Sequence, residues 1–363
     1  MKKMSNALII GIAGVMTFSL AACGNNSGPA KSPAAPPPAQ TQAAQPPATG
    51  PIKIGSAIYK FDDTFMAGVR AAMTDRANAL GDTLNISDSQ NVQATQNDQV
   101  DNFINQGVNS LIINPVDPTA AAPIIAKAKA ASLPLVLINR MPADADMQTY
   151  DRVWYVGAHP EESGTAQGQI IADYWKAHPE TDKNKDGVID YVMLTGEPGH
   201  PDAVARTKYS IQTLTDAGIK VKELASDTAM WDKVKATDKM AAFITSLGIA
   251  SIEVVFANND DMALGAIAAL QAQGYNKGDK SKYIPVVGVD ATAPGLAAMK
   301  DGSLLGTVLN DAVNQAKAAV NIADAAGKNK EINDANVGYK VEGKYVWIPY
   351  VKVTQDNYKD FMS

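Results

Sequence analysis

The sequence predicts an α/β protein of two Rossmann-like, doubly wound parallel-sheet lobes, and three observations carry that prediction. From Ile52 onward, short apolar runs alternate with longer amphipathic ones. Alternation at this spacing builds right-handed βαβ units, in which helices cover both faces of a parallel sheet. The strand candidates are too many for one comfortable sheet, and the stretch from Pro51 to Ser363 holds two domains' worth of chain at ~100–150 residues each.

The elements begin with a segment that reads as export machinery rather than fold. Lys2 and Lys3 form a positive start, and an apolar stretch runs from Ala7 to Ala22. A bilayer span needs roughly 20 apolar residues, so this stretch suits a signal segment instead. It ends in Leu20-Ala21-Ala22-Cys23, where small residues precede the only cysteine of the chain. That is the bacterial lipoprotein pattern: residues 1–22 are expected to be removed and Cys23 to carry the lipid. With Cys23 lipidated, no thiol remains for a disulfide, a thiolate metal site or a nucleophile.

Residues 24–50 are rich in Pro and Ala, with Lys31 as their single charge. Such chain favours an extended form at ~3.1 Å per residue, so with Cys23 it is expected to act as a tether reaching up to about 80 Å. Loss of Lys2 and Lys3 takes the formal charge from -6 to -8. An acidic chain without a basic cluster argues against nucleic acid and against electrostatic membrane binding, leaving the lipid as the only membrane contact.

In the folded region the expected strands are 52–58, 84–88, 110–114, 133–139, 153–156, 189–194, 220–225, 252–257, 284–289 and 304–309. Helical periodicity falls between them at 64–79, 91–106, 118–131, 161–177, 202–217, 232–247, 260–273 and 312–326. No G-x-G-x-x-G follows the first strand and no P-loop occurs, so nucleotide binding is not supported.

In open α/β sheets ligands bind beyond the carboxyl ends of the strands. Those ends are consistently polar here. Asp62 and Asp63 follow the first strand, Asn139 and Arg140 the fourth, and Glu197, His200, Asp202 and Arg206 come later. Asn258 to Asp261, then Asp290, then Asn310 and Asp311 complete the set. Carboxylates, amides and a planar guanidinium suit a polyhydroxylated ligand, whose hydroxyls both donate and accept. Phe61, Phe65 and Trp231 lie where a ring could pack on the apolar face of a pyranose. The competing reading of each Asp or Asn is a helix N-cap.

From Ile52 to the C-terminus the chain resembles the periplasmic D-galactose/D-glucose-binding proteins, a branch of the type I periplasmic binding proteins. The matching strings are Ile58-Tyr59-Lys60-Phe61-Asp62-Asp63-Thr64-Phe65-Met66, Asp88-Ser89-Gln90-Asn91, Gly196-Glu197-Pro198-Gly199-His200-Pro201-Asp202, Asp227-Thr228-Ala229-Met230-Trp231-Asp232, Ala257-Asn258-Asn259-Asp260 and Gly306-Thr307-Val308-Leu309-Asn310-Asp311. The resemblance implies three crossovers between a first lobe of residues 51–158 plus 311–344 and a second of 159–310 plus 345–363. It implies that Phe65 and Trp231 sandwich the sugar and that Asp63 binds the hydroxyl separating glucose from galactose. Asn139 joins from the first lobe, His200, Asp202, Arg206, Asn259 and Asp290 line the second, and Asn310 lies at a crossover. Arg140 stands where some relatives carry Lys and is read as peripheral. The expected partners are D-glucose or D-galactose, the membrane subunits of an ABC importer and, further, a chemoreceptor, with the protein acting as an extracytoplasmic monomer.

One further string, Asp182-Lys183-Asn184-Lys185-Asp186-Gly187-Val188-Ile189-Asp190, matches the first nine positions of an EF-hand calcium loop. Met193 stands at position 12 and cannot supply the closing carboxylate. On the string alone a polar turn fits nearly as well as Ca2+. The resemblance implies a structural Ca2+ held by Asp182, Asn184, Asp186, the Val188 carbonyl and Asp190, with Glu253 closing the site from a distant strand. The rival functions are another monosaccharide (ribose, xylose, arabinose) in the same fold, a glycosidase using paired carboxylates, and a sugar-responsive regulator. No activated acid or nucleophile supports the second, and the N-terminal signal opposes the third.

Overall fold

The computed structural model describes residues 50–362; the signal segment, Cys23 and the tether as far as Thr49 lie outside the described residues. The first lobe runs β1 (Lys53–Ile58), α1 (Thr64–Leu80), β2 (Thr83–Asp88), α2 (Gln93–Asn105), β3 (Ser110–Ile113), α3 (Ala121–Ala130), β4 (Leu135–Ile138), α4 (Asp144–Met147) and β5 (Val153–Gly157). The second runs α5 (Pro160–Ala177), β6 (Val188–Thr195), α6 (Pro201–Asp216), β7 (Lys220–Thr228), α7 (Lys233–Leu247), β8 (Val254–Ala257), α8 (Asp260–Ala272), β9 (Val286–Val287), α9 (Ala293–Lys300) and β10 (Thr307–Leu309). The chain then returns through α10 (Ala312–Gly327), α11 (Asp334–Val337) and β11 (Tyr345–Trp347) to the first lobe, and ends with β12 (Val351–Val353) in the second.

The first sheet has the order β11-β5-β4-β3-β1-β2, and every pair in it is parallel. Its middle strands β3 and β4 are buried at every position, as strands covered on both faces must be. Alternate residues feed two cores. Ile54, Ile112 and Val136 meet Met66, Val69 and Met73 of α1 and Ala319 of α10 on one face. Leu111, Ile113 and Leu135 meet Phe103, Ile124 and Ile125 on the other. The second sheet has the parallel order β7-β6-β8-β9, again with a core on each face. Single bridges from Val287 to Gly306 and from Asp290 to Leu309 join β10 to it, and β12 pairs antiparallel with β10.

Three differences from the sequence reading have physical causes. The second lobe was expected to begin again at Tyr345, but β11 lies parallel to β5, with Tyr345, Val346 and Trp347 opposite Tyr155, Val156 and Gly157. The third crossover therefore falls at 348–350. Three residues are too few to show a period, and an aromatic cluster secures them: the Tyr345 and Trp347 rings stack at 5.3 Å and both meet Tyr155 edge-on. The helix expected over 118–131 opens as a 3-10 turn at Pro118–Ala120 before α3 begins. The strand expected over 284–289 shortens to the two residues Val286–Val287, since beyond them only single bridges, at Val287 and Asp290, continue the pairing.

Candidate functional site

All ten residues expected around a sugar line one cavity: Asp63, Phe65, Asn139, His200, Asp202, Arg206, Trp231, Asn259, Asp290 and Asn310. Each residue follows the carboxyl end of a strand, and the two lobes supply opposite walls. Tyr59, Met66 and Arg140 also line it. Arg140 is thus not peripheral. Tyr59 directly follows β1, a position that marks it as strongly as Asp63, but a tyrosine there also reads as core. Phe61 lies outside the cavity and stacks on Arg70 at 3.8 Å.

The choice between helix cap and ligand residue dissolves at several positions. Asp63 Oδ1 accepts from the Met66 N–H at 2.7 Å, capping α1. Asn259 Oδ1 accepts from Met262 N–H at 2.9 Å, capping α8. His200 Nδ1 accepts from Asp202 N–H at 3.1 Å, capping α6. A cap orients the side chain over the strand end, where the cavity lies, and so serves both purposes. Asn139, Trp231 and Asp290 instead adopt φ of 61°, 63° and 122°. Positive φ is costly for side-chain-bearing residues and concentrates at functional sites.

The second-lobe wall is an ordered polar network. Arg206 pairs with Asp202 at 3.0 Å and donates to the Asn258 carbonyl at 2.7 Å and the Tyr350 hydroxyl at 3.0 Å. Its guanidinium lies 5.7 Å from the Trp231 ring, which His200 meets edge-on at 5.2 Å. Gly196 makes room for the indole, since a Cβ there would stand 2.2 Å from the ring. Asn310 Nδ2 donates to Asp290 Oδ1 at 3.3 Å and is itself held by Gln315. On the first lobe, Asn114 Nδ2 donates to Asn139 Oδ1 at 3.3 Å and Tyr155 donates to the Asn139 carbonyl at 2.8 Å.

Burial shifts the charges of this wall. It pushes the Asp290 carboxyl well up, against the pull of Arg206, and raises that of Asp202 against Arg206 and Arg140. It also holds His200 well below the ordinary imidazole range, with Arg140 and Arg206 adding to the effect. Two polar contacts join the lobes beside the cavity: Arg140 to Glu197 at 2.8 Å, and the Thr64 hydroxyl donating to Asp261 at 2.7 Å.

The loop from Asp182 to Asp190 lies at the start of β6, at the other end of the strand from the cavity. Asp182 accepts from Gly187 N–H at 2.9 Å and Asp186 from Val188 N–H at 2.8 Å, and Gly187 turns the chain with φ of 74°. Glu253 arrives from the residue before β8 and accepts from Lys183 N–H at 2.7 Å and Asp190 N–H at 2.9 Å. Burial raises the Glu253 carboxyl against the pull of the Asp190 and Lys183 N–H groups, and the charges of Asp182 and Asp190 add a smaller rise. Asp190 Oδ1 is buried without a hydrogen-bond partner, 3.4 Å from Lys222 Nζ. Among the described residues no three His, Cys, Asp or Glu side chains already converge as a metal cage. The buried Asp190 oxygen, with Lys222 as its ion-pair partner, and the crowded carboxylates nevertheless fit a hard cation, which takes oxygen ligands.

A family model described as periplasmic binding protein domain matches residues 54–331. The chain is 45% identical over 312 residues to a D-galactose/methyl-galactoside binding periplasmic protein of Haemophilus influenzae, covering 86% of this chain and 92% of that one. It is 35% identical to a putative rhizopine-binding protein of Rhizobium meliloti, with 85% and 92% coverage. Among solved structures, an ABC transporter solute binding protein from Bacillus halodurans with bound myo-inositol superposes with a TM-score of 0.69 at 31% identity, covering 87% of this chain and 98% of that one.

Proposed function

The chain belongs to the periplasmic binding protein family, and from that premise we propose that it is a lipid-anchored receptor that closes on D-glucose or D-galactose and presents the sugar to an ABC importer. The observation that carries this reading is that Phe65 from one lobe and Trp231 from the other line a single cavity whose remaining lining, Met66 apart, is hydrogen-bonding groups. Apolar faces of a pyranose pack on such rings, while its hydroxyls meet carboxylates, amides and a guanidinium. Asp63 keeps acceptor capacity beyond its two intramolecular donors, so it accepts from a hydroxyl in either configuration. Sugar selects the closed arrangement because only that arrangement offers both walls at once.

Titration calorimetry with both hexoses tests the reading. Binding is expected for at least one, and Trp231→Ala is expected to weaken it by more than about tenfold, since a buried aromatic carries a large contact area. Unchanged affinity in that variant, or no heat from either sugar, sinks the proposal. A cyclic polyol is the second reading, favoured by the myo-inositol bound in the Bacillus halodurans structure. Myo-inositol in the same titration separates the two.

The loop at Asp182, Asn184, Asp186, Val188 and Asp190, with Glu253, is proposed to hold Ca2+. When bound, the ion supplies positive charge that neutralises crowded carboxylates; its role is structural. Cys23 is proposed as the lipid attachment point, and Cys23→Ser is expected to release the protein from the membrane. A chemoreceptor is proposed as a further partner of the closed form.

A further inference from the structure

Arg140 follows β4 in the first lobe, yet its neighbours come from both lobes. Nη1 donates to the Val116 carbonyl at 2.5 Å, and Nη2 pairs at 2.8 Å with Glu197, in the loop after β6 of the second lobe. The same guanidinium lies 4.0 Å over the Tyr59 ring. His200 and Asp202 face it as well and feel its charge. The Tyr59 hydroxyl donates to Asp63 Oδ2 at 2.5 Å, while Asp63 Oδ1 is held by Met66 N–H. Burial, and next the Asp63 carboxylate, keep the Tyr59 phenol protonated and therefore a donor. An unbroken set of contacts thus runs from Glu197, which does not line the cavity, to the carboxylate that does.

We propose that Tyr59 and the interlobe pair Arg140–Glu197 are positioning residues: closing the lobes seats Arg140 on Glu197, Arg140 fixes the Tyr59 ring, and Tyr59 aims Asp63 at the ligand. The inference rests on the sugar-binding reading above for its ligand, but not for the closure itself. The Arg140 side chain is 2% exposed and that of Glu197 27%, so the pair is desolvated far more than a surface ion pair and is less screened. A contact made only in the closed form adds to closure, and hence to affinity, without touching the sugar. It acts chiefly on release, the step in which most affinity differences reside.

The test uses Glu197→Gln, which keeps shape and removes charge, and Tyr59→Phe, which keeps the ring over Arg140 and removes the hydroxyl. Affinities and release rates for D-glucose and D-galactose are measured by calorimetry and stopped-flow fluorescence at low and high salt. Glu197→Gln is expected to weaken binding by roughly tenfold, mainly through faster release, and to flatten the salt dependence. Tyr59→Phe is expected to change the glucose-to-galactose affinity ratio, and the two substitutions together to cost less than the product of their separate effects. Native affinity and release in Glu197→Gln, or an unchanged ratio in Tyr59→Phe, overturns the proposal. Should the native protein bind neither sugar, the hexose reading fails by itself. Titration with myo-inositol then decides the clasp: faster release in Glu197→Gln supports it, and native release overturns it.

Discussion

At the residue scale, His200 illustrates how burial assigns a role. Its Nδ1 accepts the hydrogen bond from Asp202 N–H, which requires an unprotonated nitrogen there. Burial, then the positive charges of Arg140 and Arg206, hold the imidazole well below its ordinary range. The unfolded chain takes up a proton near pH 6.5, and the folded one does not. The stabilising contribution is therefore present above about pH 6.5 and is lost as the pH falls below it. NMR titration is expected to show His200 neutral from about pH 8 down past 6.5, with ligand affinity insensitive to this group. A His200 midpoint near 6.5, with affinity falling alongside, contradicts the assignment. The polar strand ends already showed these residues in sequence, with cap and ligand as rival readings for Asp63 and Asn259; the structure shows the cap at both, and at His200, while each also lines the cavity.

At the element scale, the loop into β6 and the approach to β8 are joined by one carboxylate. Glu253 is 1% exposed and ties Lys183 N–H and Asp190 N–H to the strand beside them. Without a cation, the nearby carboxylates of Asp182 and Asp190 oppose its ionisation. Anything that binds only the folded state stabilises it. Calcium is accordingly expected to raise the melting temperature by several degrees, and chelator to reverse the gain. Glu253→Gln is expected to abolish the calcium response. A melting point indifferent to calcium and chelator ends the proposal. The string Asp182-Lys183-Asn184-Lys185-Asp186-Gly187 was legible because its oxygens recur at fixed local spacing. Its closing residue was not locally legible, since Glu253 reaches it only through the pairing of β6 with β8.

At the scale of the whole molecule, the chain crosses between lobes after β5, at Asn310 and Asp311, and at 348–350. Each lobe has a core on both faces of its own sheet, so each can move as a unit while the crossovers bend. Saturating sugar is expected to reduce the radius of gyration measured by small-angle scattering, and an unchanged radius with sugar bound argues against closure. The period of the apolar runs by itself determined the α/β class, most strands and helices and the polar strand ends, because burial on a sheet face or helix stripe imposes a local repeat. Local period carries no information about which distant segments pair. Only the tertiary structure decided that Tyr345, Val346 and Trp347 complete the first sheet, that Arg140 belongs to the cavity, and that Glu197 reaches across to hold it. Those contacts span residues far apart in the chain, and packing alone brings them within reach.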